Sequence, residues 1–126
     1  MKKTLLLSLL LTTSSLLSAA QSGEQLLDKK CTACHMTSSS SAKLTNGKMG
    51  GPPMWGVMKK IKNSFKTKEE GATFIVNYTM YPSTEKMLFP AATKDYFGLM
   101  PSLQGEVTKE ELQIIAEYLY QSYGTN

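Results

Sequence analysis

Cys31-Thr32-Ala33-Cys34-His35 constrains what this chain can fold into more than any other stretch of it. Two thiols three residues apart fall on one helical turn, close enough to add to the two vinyl groups of a single porphyrin. The next residue, His35, then lies beneath the ring with an imidazole nitrogen available to the iron. C-x-x-C-H is the pattern of covalent haem attachment, and a proximal His is a common haem-iron ligand. Three other readings compete. A redox dithiol would sit beside a βαβ pattern, and none follows. A structural zinc site needs four ligands, whereas the whole chain offers two Cys and one His. A chance match in an ordinary loop would ask nothing of the residues downstream.

The start of the chain reads as a secretory signal. Lys2 and Lys3 form a basic lead, Leu5 to Leu11 an apolar run, and Ser18-Ala19-Ala20 a small-residue cleavage site. Cleavage is expected after Ala20, leaving one domain over residues 21–126. The apolar run is broken by Thr12 to Ser15 and falls short of the ~20 residues a spanning helix needs, so no stable membrane insertion is expected after cleavage. Export would permit disulfides, but thioethers to a haem would consume both cysteines. The net charge is +4, to which Lys2 and Lys3 contribute. That balance is too mild for nucleic-acid binding. The chain also has no Arg, the side chain best suited to bidentate phosphate contacts.

Downstream, the pattern is helical. Ser22 and Gln25 fit a capping box, and the helix they open runs through Leu26 and Leu27 into the Cys motif. Thr37 to Ser41, Asn46-Gly47 and Gly50-Gly51 predict an irregular loop, closed by the stiff Pro52-Pro53 pair. Val57, Met58, Ile61 and Phe65 recur at helical spacing opposite Lys59, Lys60 and Lys62, which predicts a helix from Trp55 to Phe65. Thr67 and Glu70 form a second capping box, opening a helix through Phe74, Ile75 and Tyr78 that Pro82 stops. Residues 82–101 are irregular but rich in Met, Leu, Phe and Tyr. Loops of that composition need an apolar surface to cover. Thr108 and Glu111 form a third capping box. It opens a last helix with Leu112, Ile115 and Leu119 on one stripe, Ile114 and Tyr118 alongside, and Gly124 beyond its end. With no strand alternation, the expected fold is all-α.

A second axial ligand cannot be another His, because His35 is the only one. The remaining common donor is a Met thioether, which raises the reduction potential. Met36 adjoins His35 and cannot easily reach the opposite face. Met58 falls on a helical core stripe. Met100 lies in Gly98-Leu99-Met100-Pro101, where Gly98 permits close approach and Pro101 stiffens the chain. Met100 is the leading candidate, with Met80, Met87 or an open position as alternatives.

From Gly23 to about Tyr123 the chain resembles the small monohaem class I cytochromes c. The resemblance rests on Cys31-Thr32-Ala33-Cys34-His35, on Met100-Pro101, and on the last helix with Tyr118-Leu119. It implies three to four helices wrapped around one covalent haem c, held through Cys31 and Cys34, with His35 and Met100 on the iron. It implies that Gly23 and Leu27 of the first helix pack on Ile115 and Tyr118 of the last. It implies that the carbonyl of Pro52, in Gly51-Pro52, receives the N–H of His35. Trp55 and Tyr78 are candidates for a propionate bond, with plain core packing as the alternative. The implied function is one-electron transfer in the periplasm by a monomeric carrier that is not an enzyme. Its redox partner proteins are unidentified. Lys59, Lys60, Lys62, Lys66 and Lys68 would steer an acidic partner, unless they are simply a solvated face. Two other readings are a haem subunit of a larger periplasmic oxidoreductase, and a haem-based sensor with a labile sixth ligand.

Overall fold

A computed structural model describes residues 20–40, 44 and 47–124. The expected signal segment and its cleavage site therefore lie outside the described residues, apart from Ala20. Five helices follow in order: α1 (Gly23–Cys31), α2 (Met54–Ser64), α3 (Lys68–Met80), α4 (Ala91–Phe97) and α5 (Lys109–Ser122). No strand is formed among the described residues, so the fold is all-α.

All three capping boxes are present. The hydroxyls of Ser22, Thr67 and Thr108 accept from the backbone N–H groups of Gln25, Glu70 and Glu111. The Gln25, Glu70 and Glu111 side chains in turn accept from the cap backbone at 3.0, 3.2 and 2.8 Å. Each box satisfies two N–H groups that a helix start leaves without intrahelical partners. α2 starts differently. Pro53 caps it with no side-chain bond, and the free N–H of Met54 goes to the carbonyl of Met36 at 2.8 Å. That bond ties the start of α2 to the segment just after His35.

The helices pack as α1 on α5 and α3 on α5, with a lesser contact between α2 and α3. Leu26 and Leu27 of α1, Met58 and Ile61 of α2, Ala72, Ile75 and Val76 of α3, and Leu112, Ile115, Ala116 and Leu119 of α5 form one buried cluster. Met80 also belongs to it, at the end of α3. Two crossings depend on missing side chains. A Cβ on Gly23 would fall 2.4 Å from Tyr118 Cβ and 3.0 Å from the Ile114 carbonyl. A Cβ on Gly71 would meet the Tyr120 hydroxyl and approach Ile61. The α1–α5 crossing therefore forms as the resemblance implied, with Leu27 in the buried cluster. Leu27 is 4% exposed.

Two expectations need correction. Residues 82–101 are not wholly irregular, because α4 forms within them. Its sequence carries no capping box and no buried stripe. Pro90 caps it without a side-chain bond, and none of its residues is buried, so the usual sequence signals are missing. Ile114 does not join the α5 stripe; it is 41% exposed, while Ala116 is fully buried in its place. The buried positions 112, 115, 116 and 119 follow the helical period more closely.

Replacing Gly23 by Ala should destabilise the protein by about 1–3 kcal/mol, the usual cost of overpacking a tight contact. A denaturant-unfolding midpoint measured against the parent chain checks this, with the haem-visible spectrum retained.

Candidate haem site

The site is assembled from the end of α1, the loops beside it and the inner faces of α2, α3, α4 and α5. α1 ends at Cys31, and the turn after it carries Cys34 and His35. The N–H groups of Cys34 and His35 both go to the Cys31 carbonyl, at 3.2 and 2.9 Å. The Cys motif is thus one closed turn continuing the helix. Lys30 donates to the backbone carbonyl of Glu106, which fastens the end of α1 to the loop before α5.

The backbone of Gly50-Gly51-Pro52 lies against this turn. A Cβ on Gly50 would stand 2.9 Å from Cys34 Sγ, and one on Gly51 2.7 Å from His35 Cε1. Only glycine lets the chain run this close to both groups. The result is a 2.7 Å bond between His35 Nδ1 and the Pro52 carbonyl. A carbonyl can only accept, so Nδ1 carries the proton and Nε2 keeps its lone pair. Burial pushes the His35 pKa down, with the Pro52 bond opposing, so the imidazole is neutral at neutral pH. A neutral ring with one nitrogen tied to a carbonyl and the other bearing a lone pair is the usual state of a metal-binding His.

Cys31 differs from the attacking thiol of a redox dithiol. Cys31 is pushed up to about 11, chiefly by burial and next by the nearby Cys34. Reactive dithiols work through a depressed thiol pKa, so Cys31 is not poised for exchange chemistry. No group of three or more metal-binding side chains is clustered among the described residues, which leaves a structural zinc site without its ligands.

Cys31, Cys34 and His35 all border a deep apolar cleft of about 1210 Å³, counting the part continuous with solvent. Leu112, Ile115 and Leu119 of α5, Ile61 of α2 and Ile75 of α3 form its floor. Phe74, Tyr78 and Thr79 of α3 line it, and Phe74 stacks on Tyr78 at 5.3 Å between ring centroids. Met87, Leu88, Phe89 and Met100 come from the irregular chain on either side of α4, and Phe97 from α4 itself. A flat, largely apolar macrocycle suits these walls, and the donor set on them is one imidazole, two thiols and thioethers. The residues present therefore fit a haem.

Each candidate can now be placed. Cys31, Cys34, His35, Pro52 and Met100 all line the one cleft. Met87 lines it too, as does Met54, which is 4% exposed and follows Pro53 directly. Met58 is wholly buried in the core. Met80 is buried and borders a separate shallow groove on the outside, together with Tyr81, Leu99, Met100 and Pro101. Of the two propionate candidates Tyr78 lines the cleft, whereas Trp55 is 45% exposed and does not. Trp55, in the first turn of α2, is too exposed to be a core residue. Sequence reading missed Thr79 and Thr93, polar side chains on an otherwise apolar wall. Both lie within helices, and nothing in the pattern sets them apart from other polar helix residues.

Helices wrapped around a cleft with C-x-x-C-H at its mouth define a c-type cytochrome domain. The chain belongs to the family described as cytochrome C oxidase, cbb3-type, subunit III, which matches residues 18–119. A protein of Aquifex aeolicus (strain VF5), described as uncharacterized, is 30% identical over 114 residues. The match covers 82% of this chain and 74% of that protein. No solved structure matches the chain.

Replacing Gly51 by Ala should lower the haem content per polypeptide severalfold, because the new methyl displaces the His35 ring. Gly56→Ala is the matched control. Its Cβ meets nothing closer than Pro53 Cγ at 3.9 Å, and it should stabilise α2 by roughly 0.5–1 kcal/mol. A pyridine haemochrome assay on both variants checks the contrast.

Proposed function

We propose that this protein is a periplasmic one-electron carrier. In this reading Cys31 and Cys34 would hold one haem covalently, and His35 and Met100 would be the ligands of its iron. The observation that carries it is the position of Met100 on the same apolar cleft as His35, Cys31 and Cys34. Bound there, the haem supplies reversible Fe(III)/Fe(II) cycling.

The residues of the chain each have a part in this. The Pro52 carbonyl holds the His35 ring in one tautomer and one orientation, and raises the basicity of Nε2. A thioether from Met100 favours the reduced state and raises the potential. Leu112, Ile115 and Leu119 exclude water from the floor of the cleft, which further favours the state of lower charge. With His35 and Met100 on the iron no position would be left there for a substrate, and the other polar side chains lining the cleft are Lys30, Tyr78, Thr79 and Thr93, with no carboxylate and no second histidine among the lining residues. Met87 and Met54 border the cleft as well, and Met87, in the same apolar segment before α5 as Met100, is the thioether that would replace Met100 if the assignment failed.

The family's description favours a second reading, in which the same domain relays electrons as a subunit of a larger oxidoreductase. The two differ in partners and not in what the cleft does. Lysine steering of an acidic partner falls to fewer side chains than five. Lys62 donates to the Tyr123 carbonyl and Lys68 pairs with Glu117. Lys59 and Lys66 are exposed, and Lys60 is half-buried. Those three, together with Lys62, whose charge a carbonyl bond leaves intact, would set the salt dependence of docking.

Met100→Ala should abolish the weak near-infrared thioether-to-iron band and lower the reduction potential. An unchanged spectrum would move the ligand to Met87. The reduced parent protein should not bind CO; rapid binding would favour a sensor with an open position. Co-purification with a partner from the native source would favour the subunit.

A further inference from the structure

Charge is divided unevenly along this chain. Between Asp28 and Glu69 lie nine lysines and no carboxylate, whereas from Glu69 onward there are eight carboxylates and three lysines. The basic stretch belongs to the histidine side of the fold. It includes His35, the Gly51-Pro52 backbone that meets it, and all of α2. On the Met100 side the charges are mixed, with Glu85 beside Lys86 and Lys94 beside Asp95. The exposed aromatics there already hold cations of the same chain. Lys86 lies over the Tyr81 ring at 6.0 Å and Lys48 over the Tyr96 ring at 5.3 Å.

On the basic side a large apolar group is left in the open. Trp55, the only tryptophan of the chain, is 45% exposed. Lys59 and Asn63 follow it at four-residue steps and are exposed too, so the three form one row along α2. Lys62 flanks that row, and Lys66 lies just past the helix end. Lys68 is held by Glu117, and the Glu70 carboxylate by the N–H groups of Lys66 and Thr67. The row also begins where the imidazole is fixed. Pro52 accepts from His35 Nδ1 at 2.7 Å. The next carbonyl, of Pro53, accepts from Gly56 and Val57 at 2.9 and 3.1 Å. Trp55 thus sits in a bonded turn three residues from the atom that orients His35.

We propose that this histidine side, with Trp55 as its anchor and the lysines of α2 around it, is the docking surface for an acidic redox protein. Such a surface has meaning only if the protein is the carrier proposed above. Partner carboxylates are steered to Lys59, Lys62 and Lys66, and the indole supplies the kind of aromatic anchor that dominates protein interfaces. One electron crosses between the partner's metal and the haem iron. One centre is oxidised as the other is reduced, and no bond or proton moves. The backbone from Trp55 to Pro52 and the His35–Pro52 bond give a bonded route from this face to the iron ligand. A membrane surface fits less well, because α2 turns Met54, Met58 and Ile61 inward and lacks the apolar outer face of an interfacial helix.

The probe is an acidic blue-copper protein, a one-electron acceptor with a carboxylate-rich surface, mixed with the haem-loaded protein. With both proteins reduced, it should shift the single indole N–H resonance of Trp55 and the amides of residues 54–66, and leave those of residues 84–98 in place. At low salt, Lys59→Glu with Lys66→Glu should slow oxidation of the haem by the copper(II) protein about tenfold or more. Lys86→Glu with Lys109→Glu changes the net charge equally and should slow it far less. Trp55→Ala should slow it severalfold, and Trp55→Phe less. Shifts confined to residues 84–101, or equal slowing by the two charge reversals, would overturn the docking surface. So would an indole shift caused by anionic phospholipid vesicles and not by the copper protein, which marks a membrane contact. An indole resonance that moves with the concentration of this chain alone would give the face to a second copy and overturn it as well. A haem-loaded protein that exchanges no electron with the copper protein at any salt concentration would defeat the carrier reading itself.

Discussion

The close approach of the Gly50-Gly51-Pro52 backbone to Cys34 and His35 is the contact on which the rest of the structure depends. It requires two residues without side chains, because a Cβ on either would collide with a sulfur or an imidazole. It delivers the Pro52 carbonyl to His35 Nδ1 at 2.7 Å, and so decides which ring nitrogen is left with a lone pair. The bond from Met54 N–H to the Met36 carbonyl closes the same junction from the other side. α2 therefore begins where the histidine is fixed, and Ile61, two turns along, supplies part of the cleft floor.

The body of the fold divides unequally around that cleft. α1, α3 and α5 bury their stripes against one another, with glycines at the tightest crossings and capping boxes at all three starts. That part is held together by ordinary helix packing. The far wall, from Met87 to Met100, is apolar without being buried in protein. Exposed Tyr96, at 57%, and Leu99, at 40%, mark its outer side. Such a wall makes sense only if something apolar fills the space beneath it, since contiguous exposed apolar surface of this kind usually marks a binding site. The aromatic and thioether side chains there face the cleft and not a helix of the chain.

Much of this was legible before any coordinates. The capping boxes at Ser22, Thr67 and Thr108 are local rules, and local rules mark helix starts well. The Cys motif and its histidine carry their chemistry in their spacing. The Gly51-Pro52 role came from likeness to a family, and the His35–Pro52 bond forms as that likeness implied. What was not legible had no local signature. α4 lacks both a capping residue and a core stripe, because its inner face meets the cleft. Ile114 is apolar by type, yet it lies off the 112, 115, 116 and 119 face, and Ala116 takes the buried position. Trp55 looks like core by type, but the proline turn before it sets it on the outer side of α2. Among seven methionines beyond Met1, sequence alone separated Met58 and Met36 from the rest; only tertiary placement moved Met80 out of the cleft and left Met87 beside Met100.

The central claim is that one haem is stapled through Cys31 and Cys34 into a cleft built to receive it. Intact mass spectrometry of the purified protein, denatured and stripped of anything not covalently held, tests it most directly. The account predicts the mass of residues 21–126 plus one haem. A polypeptide that weighs only what its amino acids weigh would contradict it.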